Sequence, residues 1–167
     1  MESEVLAQAK QPSEARTRPC PTLVLGLGNI LLRDEGVGVR VVQALEQMRL
    51  PPHVEVFDGA TAGVDLLDVL ADRRKVVVID AIAGDSAPGT VLRLTPDDLM
   101  PRHEQGVSLH DLGLLETLAL AKQLDAAPEE VIIIGVKPHS VACGLELSPE
   151  LARTVPQIIE LVLAELE

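Results

Sequence analysis

The chain has 167 residues, of which 47% are hydrophobic and 24% charged, and this composition is typical of one globular domain with a full apolar core. A formal net charge of -12, with one Phe and neither Trp nor Tyr, disfavours both a nucleic-acid backbone and the stacking of bases, so we expect no nucleic-acid partner. No apolar stretch reaches the roughly 18 residues of a membrane span and the first twenty residues lack the apolar core of a secretion signal, so we expect a cytoplasmic protein with no membrane partner.

The chain begins with a polar segment that differs from the rest. Residues 1–20 include "QPSEARTRP", show no sustained hydrophobic periodicity and end in "RPCP". This pattern predicts a flexible N-terminal extension over residues 1–20, followed by a single α/β domain over residues 22–167.

From residue 22 onward, apolar runs alternate with segments of helical periodicity. The strands are predicted at "TLVLGLG", "HVEVFDG", "KVVVIDAI", "GTVLRL" and "EVIIIGV". Helices are predicted after Glu35 as far as "LPP", at "GVDLLDVLAD", at "HDLGLLETLALAKQL", and from a Ser148 cap with Pro149 in the first position. Strands that are apolar throughout and alternate with helices predict a mainly parallel sheet covered on both faces, which is a three-layer α/β/α sandwich.

The first strand-to-helix connection, "GNILLRDEGVG", partly matches a dinucleotide-binding loop. Gly26 and Gly28 predict a tight turn whose backbone approaches a ligand closely, but Leu31 occupies the place of the third glycine. The adjacent acids Asp34 and Glu35 would repel a pyrophosphate. A nucleotide is therefore disfavoured, although Asp58 at the end of the second strand stands where a ribose-binding acid would. A phosphate-binding P-loop is excluded because no Gly-Lys-Ser/Thr follows.

Three residues that metals bind lie where predicted strands end. Glu35 follows the first strand, Asp80 ends the third, and His110 opens the helix after the fourth. Two carboxylates and one imidazole form an incomplete ligand set that leaves positions for water or an external ligand. Each residue also has a purely structural interpretation: Glu35 at a helix N-terminus, Asp80 capping a turn, and His110 as a surface residue. Both interpretations stay open on spacing alone.

The remaining histidines and the two cysteines offer no rival site. His53, His103 and His139 lie in turns or polar loops and are expected to be solvated. Cys20 and Cys143 lack the spacing of a disulfide framework or a zinc site and are expected to be ordinary thiols. No nucleophile elbow or zinc-protease helix motif is present.

The ordered stretches "LVLGLGNILLRDEGVGVRVVQALE", "DGATAGVDLL", "VVVIDAI", "APGTV" and "SLHDLGL" resemble the hydrogenase maturation proteases, which trim the large subunit of [NiFe] hydrogenases. The resemblance covers most of residues 22–136. It implies a five-stranded twisted sheet between helices and an endopeptidase that cleaves near the carboxyl terminus of the precursor once nickel has been inserted. It also places the metal-binding glutamate, aspartate and histidine of the family on Glu35, Asp80 and His110.

The same resemblance extends less firmly to two other segments. The family's D-G-x-T segment matches at Asp58, Gly59 and Thr61, with Ala60 where the family more often has a second glycine, and it implies a supporting loop. The region after Val136 resembles the family less specifically, and "KPHSVACGLELSP" is a candidate for shaping substrate choice.

The implied site leads to a specific mechanism and to two alternatives. Nickel accepts imidazole and carboxylate ligands, and three protein ligands leave the coordination incomplete until a metal held by the precursor's thiolates completes it. The nickel then belongs to the substrate, and Asp80, with Glu35 beside it, is the catalytic candidate that activates water. The alternatives are a metallopeptidase with a resident divalent ion, and a non-proteolytic nickel-dependent checkpoint or chaperone for the same precursor. We expect a monomer, because an aromatic-poor surface shows no obvious patch for self-association.

Overall fold

A computed structural model of the chain describes residues 21–60, 66–99 and 109–167, and for residues 109–112 it describes the backbone alone. The predicted extension over residues 1–20 and the candidate loop residue Thr61 lie outside this range. Within it, five strands form one sheet: β1 (Thr22–Leu27), β2 (Val54–Ala60), β3 (Lys75–Ala81), β4 (Val91–Leu94) and β5 (Glu130–Val136). The strand order is β2-β1-β3-β5-β4.

Helices cover both faces of this sheet. They are α1 (Val37–Leu45), α2 (Leu66–Leu70), α3 (Leu109–Gln123) and α4 (Pro149–Ala164), with 3-10 turns at Arg33–Gly36 and Pro96–Leu99. The predicted three-layer α/β/α sandwich with a mainly parallel five-stranded sheet is confirmed. In the part of the chain that the structure describes, every helix is too short or too polar to cross a membrane.

The side chains of each central strand alternate between two apolar cores. Val24 and Val77 point to the face covered by α1 and α4, where they join Val41 and Ile158. The neighbouring strand residues Leu23, Leu25, Val76 and Val78 point to the other face and pack with Leu66, Leu70 and Leu114 from α2 and α3. Because both faces are buried, the middles of these strands are continuous apolar runs, which is why their sequence signal is so clear.

Strand β4 is the antiparallel edge of the sheet. It pairs with β5 through Val91↔Val136 to Leu94↔Ile133. Only nine residues separate Ala81 at the end of β3 from Val91, and a parallel crossover requires roughly a dozen or more residues. The chain therefore reverses direction after β3. It leaves the position next to β3 for β5, and β4 lies on the outer side of β5.

The ends of two helices test the sequence predictions directly. Ser148 caps α4 through its hydroxyl, which accepts the backbone N–H of Leu151 at 3.3 Å, and Pro149 takes the first helical position as predicted. Helix α1 was expected to continue to "LPP" but ends at Leu45. Its last turn tightens, with the N–H of Met48 donating to the carbonyl of Leu45 at 3.0 Å, and the Met48 side chain is left 43% exposed.

The order of the strands creates a switch point between β1 and β3. Strand β1 has β2 on one side and β3 on the other, and all three run parallel. The connections that leave β1 and β3 therefore depart toward opposite sides and open a crevice at the carboxyl edge of the sheet. In open α/β sheets, ligands bind in such crevices.

Candidate active site

The turn that follows β1 folds back onto the end of its own strand. Gly28 has a φ of +125°, and a Cβ there would lie 1.8 Å from the carbonyl oxygen of Glu35. Glycine at this position is therefore required by the protein's own backbone. The Glu35 turn occupies the space beside Gly28, so the glycine is explained without a ligand.

The close packing of helix on strand that the third glycine of a dinucleotide-binding loop permits is provided here by a glycine further along the chain. Gly38 in α1 approaches the sheet so closely that a Cβ would lie 2.1 Å from the carbonyl oxygen of Ile79 and 2.3 Å from that of Leu27. Gly26 leaves room in the same way for the carbonyl of Gly38. Leu31 therefore does not stand where a packing glycine is needed. Gly26 and Gly38 of "GLGNILLRDEGVG" thus serve helix-on-sheet packing, and this supports the rejection of a nucleotide.

Asp58, the candidate ribose-binding acid, has a local role in the structure. Its side chain is exposed and accepts the backbone N–H of Ala60 at 2.9 Å, which closes the turn at the end of β2. Ala60 has a φ of +41°, and its carbonyl accepts the N–H of Gly28 at 2.8 Å. Ala60 thus supports the start of the Glu35 turn through a backbone hydrogen bond.

Glu35 and Asp80 lie on either side of the switch point. Glu35 is half-buried in the 3-10 turn Arg33–Gly36, so it precedes helix α1 instead of starting it. Asp80 lies within β3 opposite Gly135 of β5, and is 1% exposed. Its position inside a strand argues against the alternative that it caps a turn. The 3-10 turn contacts β3, so the two acidic positions share one edge of the sheet.

His110 is placed by the backbone of α3. The C-terminal end of this helix lies at the amino edge of the sheet, where the N–H of Asp72 donates to the carbonyl of Ala126 at 3.0 Å. Fifteen helical residues rise about 21 Å, so the first turn of α3 lies toward the carboxyl edge. His110 is the second residue of that turn. Among the side chains that the structure describes, which do not include His110, no three His, Cys, Asp or Glu residues cluster closely enough for a metal.

Asp34, next to Glu35, is a fully buried carboxylate that binds a distant segment of the chain. Its oxygens accept the backbone N–H groups of His139, Ser140 and Ser148 at 2.9, 2.8 and 2.7 Å. They also accept the hydroxyl of Ser148 at 2.8 Å. Burial raises the pKa of Asp34, but the hydrogen bonds from Ser148, Ser140 and His139 outweigh it, and the pKa lies below its ordinary value.

This use of Asp34 was not foreseen from the sequence. The residues 139–148, which we call the 139–148 loop, are held against the turn that carries Glu35, and Gly144 pairs with Leu32 as an isolated bridge. The sequence carried one signal, Ser148 before "PEL". A buried helix-capping serine accepts a backbone N–H and still has its own O–H to donate, so it requires an acceptor nearby. The partner lies 114 residues away, and no local pattern identifies it.

The other candidates behave as ordinary surface groups where they are described. His53 is exposed, and the His139 side chain is about half exposed and 3.9 Å from Glu150. Cys143 is a free, exposed thiol. His103 and Cys20 lie outside the described residues.

Comparison with known proteins identifies the family of the chain. The model of the hydrogenase maturation protease family matches residues 39–165, which is most of the chain. The chain belongs to the hydrogenase maturation protease family. It is 40% identical over 146 residues to the hydrogenase 2 maturation protease of Escherichia coli (strain K12), which covers 86% of this chain and 89% of the relative.

Solved structures of family members share the fold. The hydrogenase maturating endopeptidase HybD from E. coli superposes with a TM-score of 0.80 at 39% identity, covering 87% of this chain and 91% of that one. The [NiFe] hydrogenase maturation protease HybD from Thermococcus kodakarensis gives a TM-score of 0.71 at 26% identity, covering 87% and 99%. The chain is therefore a peptidase of hydrogenase maturation, with an endopeptidase fold built around the β1/β3 switch point.

Proposed function

We propose that this maturation protease removes the C-terminal extension of a [NiFe] hydrogenase large-subunit precursor after nickel insertion. We further propose that Glu35, Asp80 and His110 recognise the inserted nickel. The observation that carries the proposal is the placement of Glu35 and Asp80 at one switch-point edge, with the first turn of α3 directed toward the same edge. The protein is proposed to work as a monomer in the cytoplasm.

The residues at this edge have the donor chemistry that nickel accepts. Carboxylate and imidazole groups bind divalent nickel, and three such ligands leave coordination positions that the thiolates of the precursor can fill. Asp80 is buried inside a strand and Glu35 is half-buried in a turn locked by Gly28, so neither position is free to drift. A ligand set held this rigidly is suited to testing whether the metal is in place. The nickel is part of the substrate in this proposal.

Asp80 is our candidate for the general base. The reaction needs a water molecule to attack the scissile carbonyl carbon, a proton to leave that water, and the C–N bond to break with a proton passing to the departing amine. A carboxylate at the metal edge can take the first proton and return it to the amine. Glu35, on the opposite wall, is the second catalytic candidate and is proposed to orient the water.

The test is cleavage of a purified precursor followed by mass spectrometry. The nickel-loaded precursor should lose the mass of its tail, and the nickel-free precursor should not. Cleavage of the nickel-free form by protein that retains stoichiometric metal through dialysis would instead identify a metallopeptidase with a resident ion. An unchanged mass with nickel-loaded precursor would leave a checkpoint protein that binds without cutting.

Variants of the three residues test the site itself. Glu35→Gln, Asp80→Asn and His110→Ala should each reduce the cleavage rate by at least about 100-fold, the lower range of what a general base or metal ligand contributes. Circular dichroism and the unfolding midpoint show whether the fold is kept. Exposed residues away from the crevice provide the matched controls, Glu46→Gln for the carboxylates and His53→Ala for the imidazole. Wild-type rates in any of the three site variants would remove that residue from the mechanism.

A further inference from the structure

Large aliphatic side chains are exposed beside the candidate site. Leu31, Val141 and Leu145 are 59%, 54% and 62% exposed. The described residues include three other exposed large hydrophobics, and these lie on separate parts of the fold: Met48, Leu124 and Leu161. The sequence showed no sign of an apolar surface patch, and clustered exposed apolar groups are typical of an interaction site.

The three residues belong to two segments that are hydrogen-bonded to each other. The N–H of Gly144 donates to the carbonyl of Leu31 at 2.9 Å, and the N–H of Arg33 donates to the carbonyl of Gly144 at 3.0 Å. Leu31 is thus joined to the 139–148 loop between Val141 and Leu145. We call these three exposed side chains the apolar patch.

The patch is held in place from beneath. Asp34 fixes both ends of the 139–148 loop through its bonds to Ser140 and Ser148, and Arg40 in α1 donates to the carbonyl of Leu145 at 2.6 Å. A surface ordered before binding loses less conformational entropy when a partner arrives than a mobile loop does. The patch therefore has the rigidity of a preformed docking surface.

The position of the patch indicates what covers it. Leu31 lies two residues before the 3-10 turn Arg33–Gly36 that carries Glu35, so the patch adjoins the segment that forms one wall of the proposed crevice. More than half of each patch side chain is exposed, so the patch projects outward. An extended tail lies in a crevice, whereas projecting aliphatic side chains suit an apolar depression on a folded partner.

We propose that Leu31, Val141 and Leu145 form a docking surface for the folded body of the hydrogenase large subunit, separate from the crevice that receives its tail. This inference rests on the proposed function for the identity of the partner. In this proposal the apolar patch binds the folded substrate, and the crevice recognises the nickel and cleaves the tail. A contact with the folded large subunit adds binding energy to that of the tail in the crevice, so this small peptidase does not depend on the tail alone to bind the precursor.

The experiment measures binding with two ligands, the nickel-loaded precursor and the mature nickel-containing large subunit that lacks the tail. Leu145→Asp and Val141→Asp are compared with Leu124→Asp, whose parent side chain is as exposed as Leu31 but lies just beyond the C-terminal end of α3, at the other edge of the sheet. We expect the patch variants to weaken binding of both ligands about ten-fold or more. The Leu124 variant should bind as the wild type does, and all three should keep the wild-type unfolding midpoint.

The kinetic readout separates docking from chemistry. The patch variants should raise KM by a similar factor and leave kcat within about two-fold, because the lost contacts stabilise the bound substrate and the transition state equally and the barrier between the two is unchanged. Unchanged affinity for the mature subunit would overturn the proposal, as would a loss confined to the tailed precursor. A change from dimer to monomer in the patch variants with normal affinity would assign the patch to self-association and also overturn it.

If wild-type protein binds the precursor without cutting it, the cleavage proposal fails while the effect of the patch variants on binding still decides the docking proposal. A wild-type protein that binds neither ligand overturns both.

Discussion

The carboxylate of Asp34 accepts both the backbone N–H and the hydroxyl of Ser148, at 2.7 and 2.8 Å, across 114 residues of chain. Ser148 is also the cap of α4, so one buried acid fixes the start of the last helix, the 139–148 loop and the turn that carries Glu35. The adjacent acids of "RDEG" therefore have different roles. Asp34 organises the structure, whereas Glu35 is the proposed site residue.

Replacing Asp34 with Asn should destabilise the fold strongly. The amide retains the shape of the side chain, but it loses the charge that strengthens four hydrogen bonds and places its own N–H₂ group among donors. We expect a loss of about 3 kcal/mol in the free energy of unfolding, or roughly 6 to 12 °C in the thermal midpoint of a chain of this size. Urea unfolding at neutral pH measures it.

Asp98 provides the matched control for that substitution. Its carboxylate accepts the backbone N–H and hydroxyl of Thr95 at 2.7 and 2.8 Å, but on the exposed surface. Asp98→Asn should cost about 1 kcal/mol or less, as for an ordinary cap. Equal losses from the two variants would show that the burial of Asp34 contributes nothing.

The lowered pKa of Asp34 predicts the pH at which its contribution disappears. Its ordinary value is 3.8, and in the folded state the hydrogen bonds outweigh the effect of burial and hold it lower. As the pH falls below about 4, the unfolded chain takes up the proton before the folded one does, so the stabilisation declines and is lost once the pH passes the folded pKa. The stability difference between wild type and Asp34→Asn should therefore be largest above about pH 4 and shrink below it.

Glu165 should follow the same direction with a smaller effect. The hydrogen bond from Arg93 lowers its pKa most, burial opposes that shift, and Lys75 adds a further bond at 2.9 Å. Its side chain keeps 15% of its exposure, so solvent screens the interaction more than it does at Asp34. Both substitutions should weaken the dependence of the free energy of unfolding on pH in the acid range, and Glu165→Gln should weaken it less than Asp34→Asn does. The opposite ranking in acid titrations of the two variants would contradict this assignment.

The fold was predictable because its strands are buried on both faces. Runs such as "LVLGL" and "VVVIDA" leave few alternatives, and the predicted strands agree with the observed ones to within two residues at each end. The candidate acids Glu35 and Asp80 could be found because they follow or end such runs, where a parallel sheet opens toward ligands.

The contacts that assemble the site were not predictable in the same way. Gly38 is recognisable as a packing glycine only once Ile79, on a strand three elements later, is placed against it. Asp34 likewise depends on the arrival of the 139–148 loop. Both are long-range relationships, and the periodicity of a single segment carries no information about them.

Ala60 is a position where glycine should be tolerated or preferred. Its φ of +41° lies in the left-handed region, which costs a residue with a Cβ about 1 kcal/mol, and its carbonyl is fixed by the N–H of Gly28. Ala60→Gly removes that strain and adds disorder to the unfolded chain, so the free energy of unfolding should stay level or rise by up to about 1 kcal/mol. Ala152→Gly, at an exposed position in α4, should instead lower it by about 1 kcal/mol. A loss at residue 60 equal to that at residue 152 would show that the left-handed conformation carries no strain.

Gly38 should tolerate no side chain, even though it lies in a helix where alanine is normally the better residue. A Cβ would meet the backbone carbonyl oxygens of Ile79 and Leu27 at 2.1 and 2.3 Å, and neither belongs to a flexible side chain that can move aside. Helix α1 would have to withdraw from the sheet. We therefore expect Gly38→Ala to lower the free energy of unfolding by about 3 kcal/mol or more, although helix propensity alone would raise it by roughly 0.5 to 1 kcal/mol.

Gln43→Ala, on the exposed side of the same helix, should change the free energy of unfolding by less than about 0.5 kcal/mol. Because the 3-10 turn of Glu35 leads directly into α1, the Gly38 variant should also lose cleavage activity at temperatures where it remains folded. A Gly38→Ala protein with wild-type stability and activity would mean that the close contact of α1 with β1 and β3 does not set the position of Glu35.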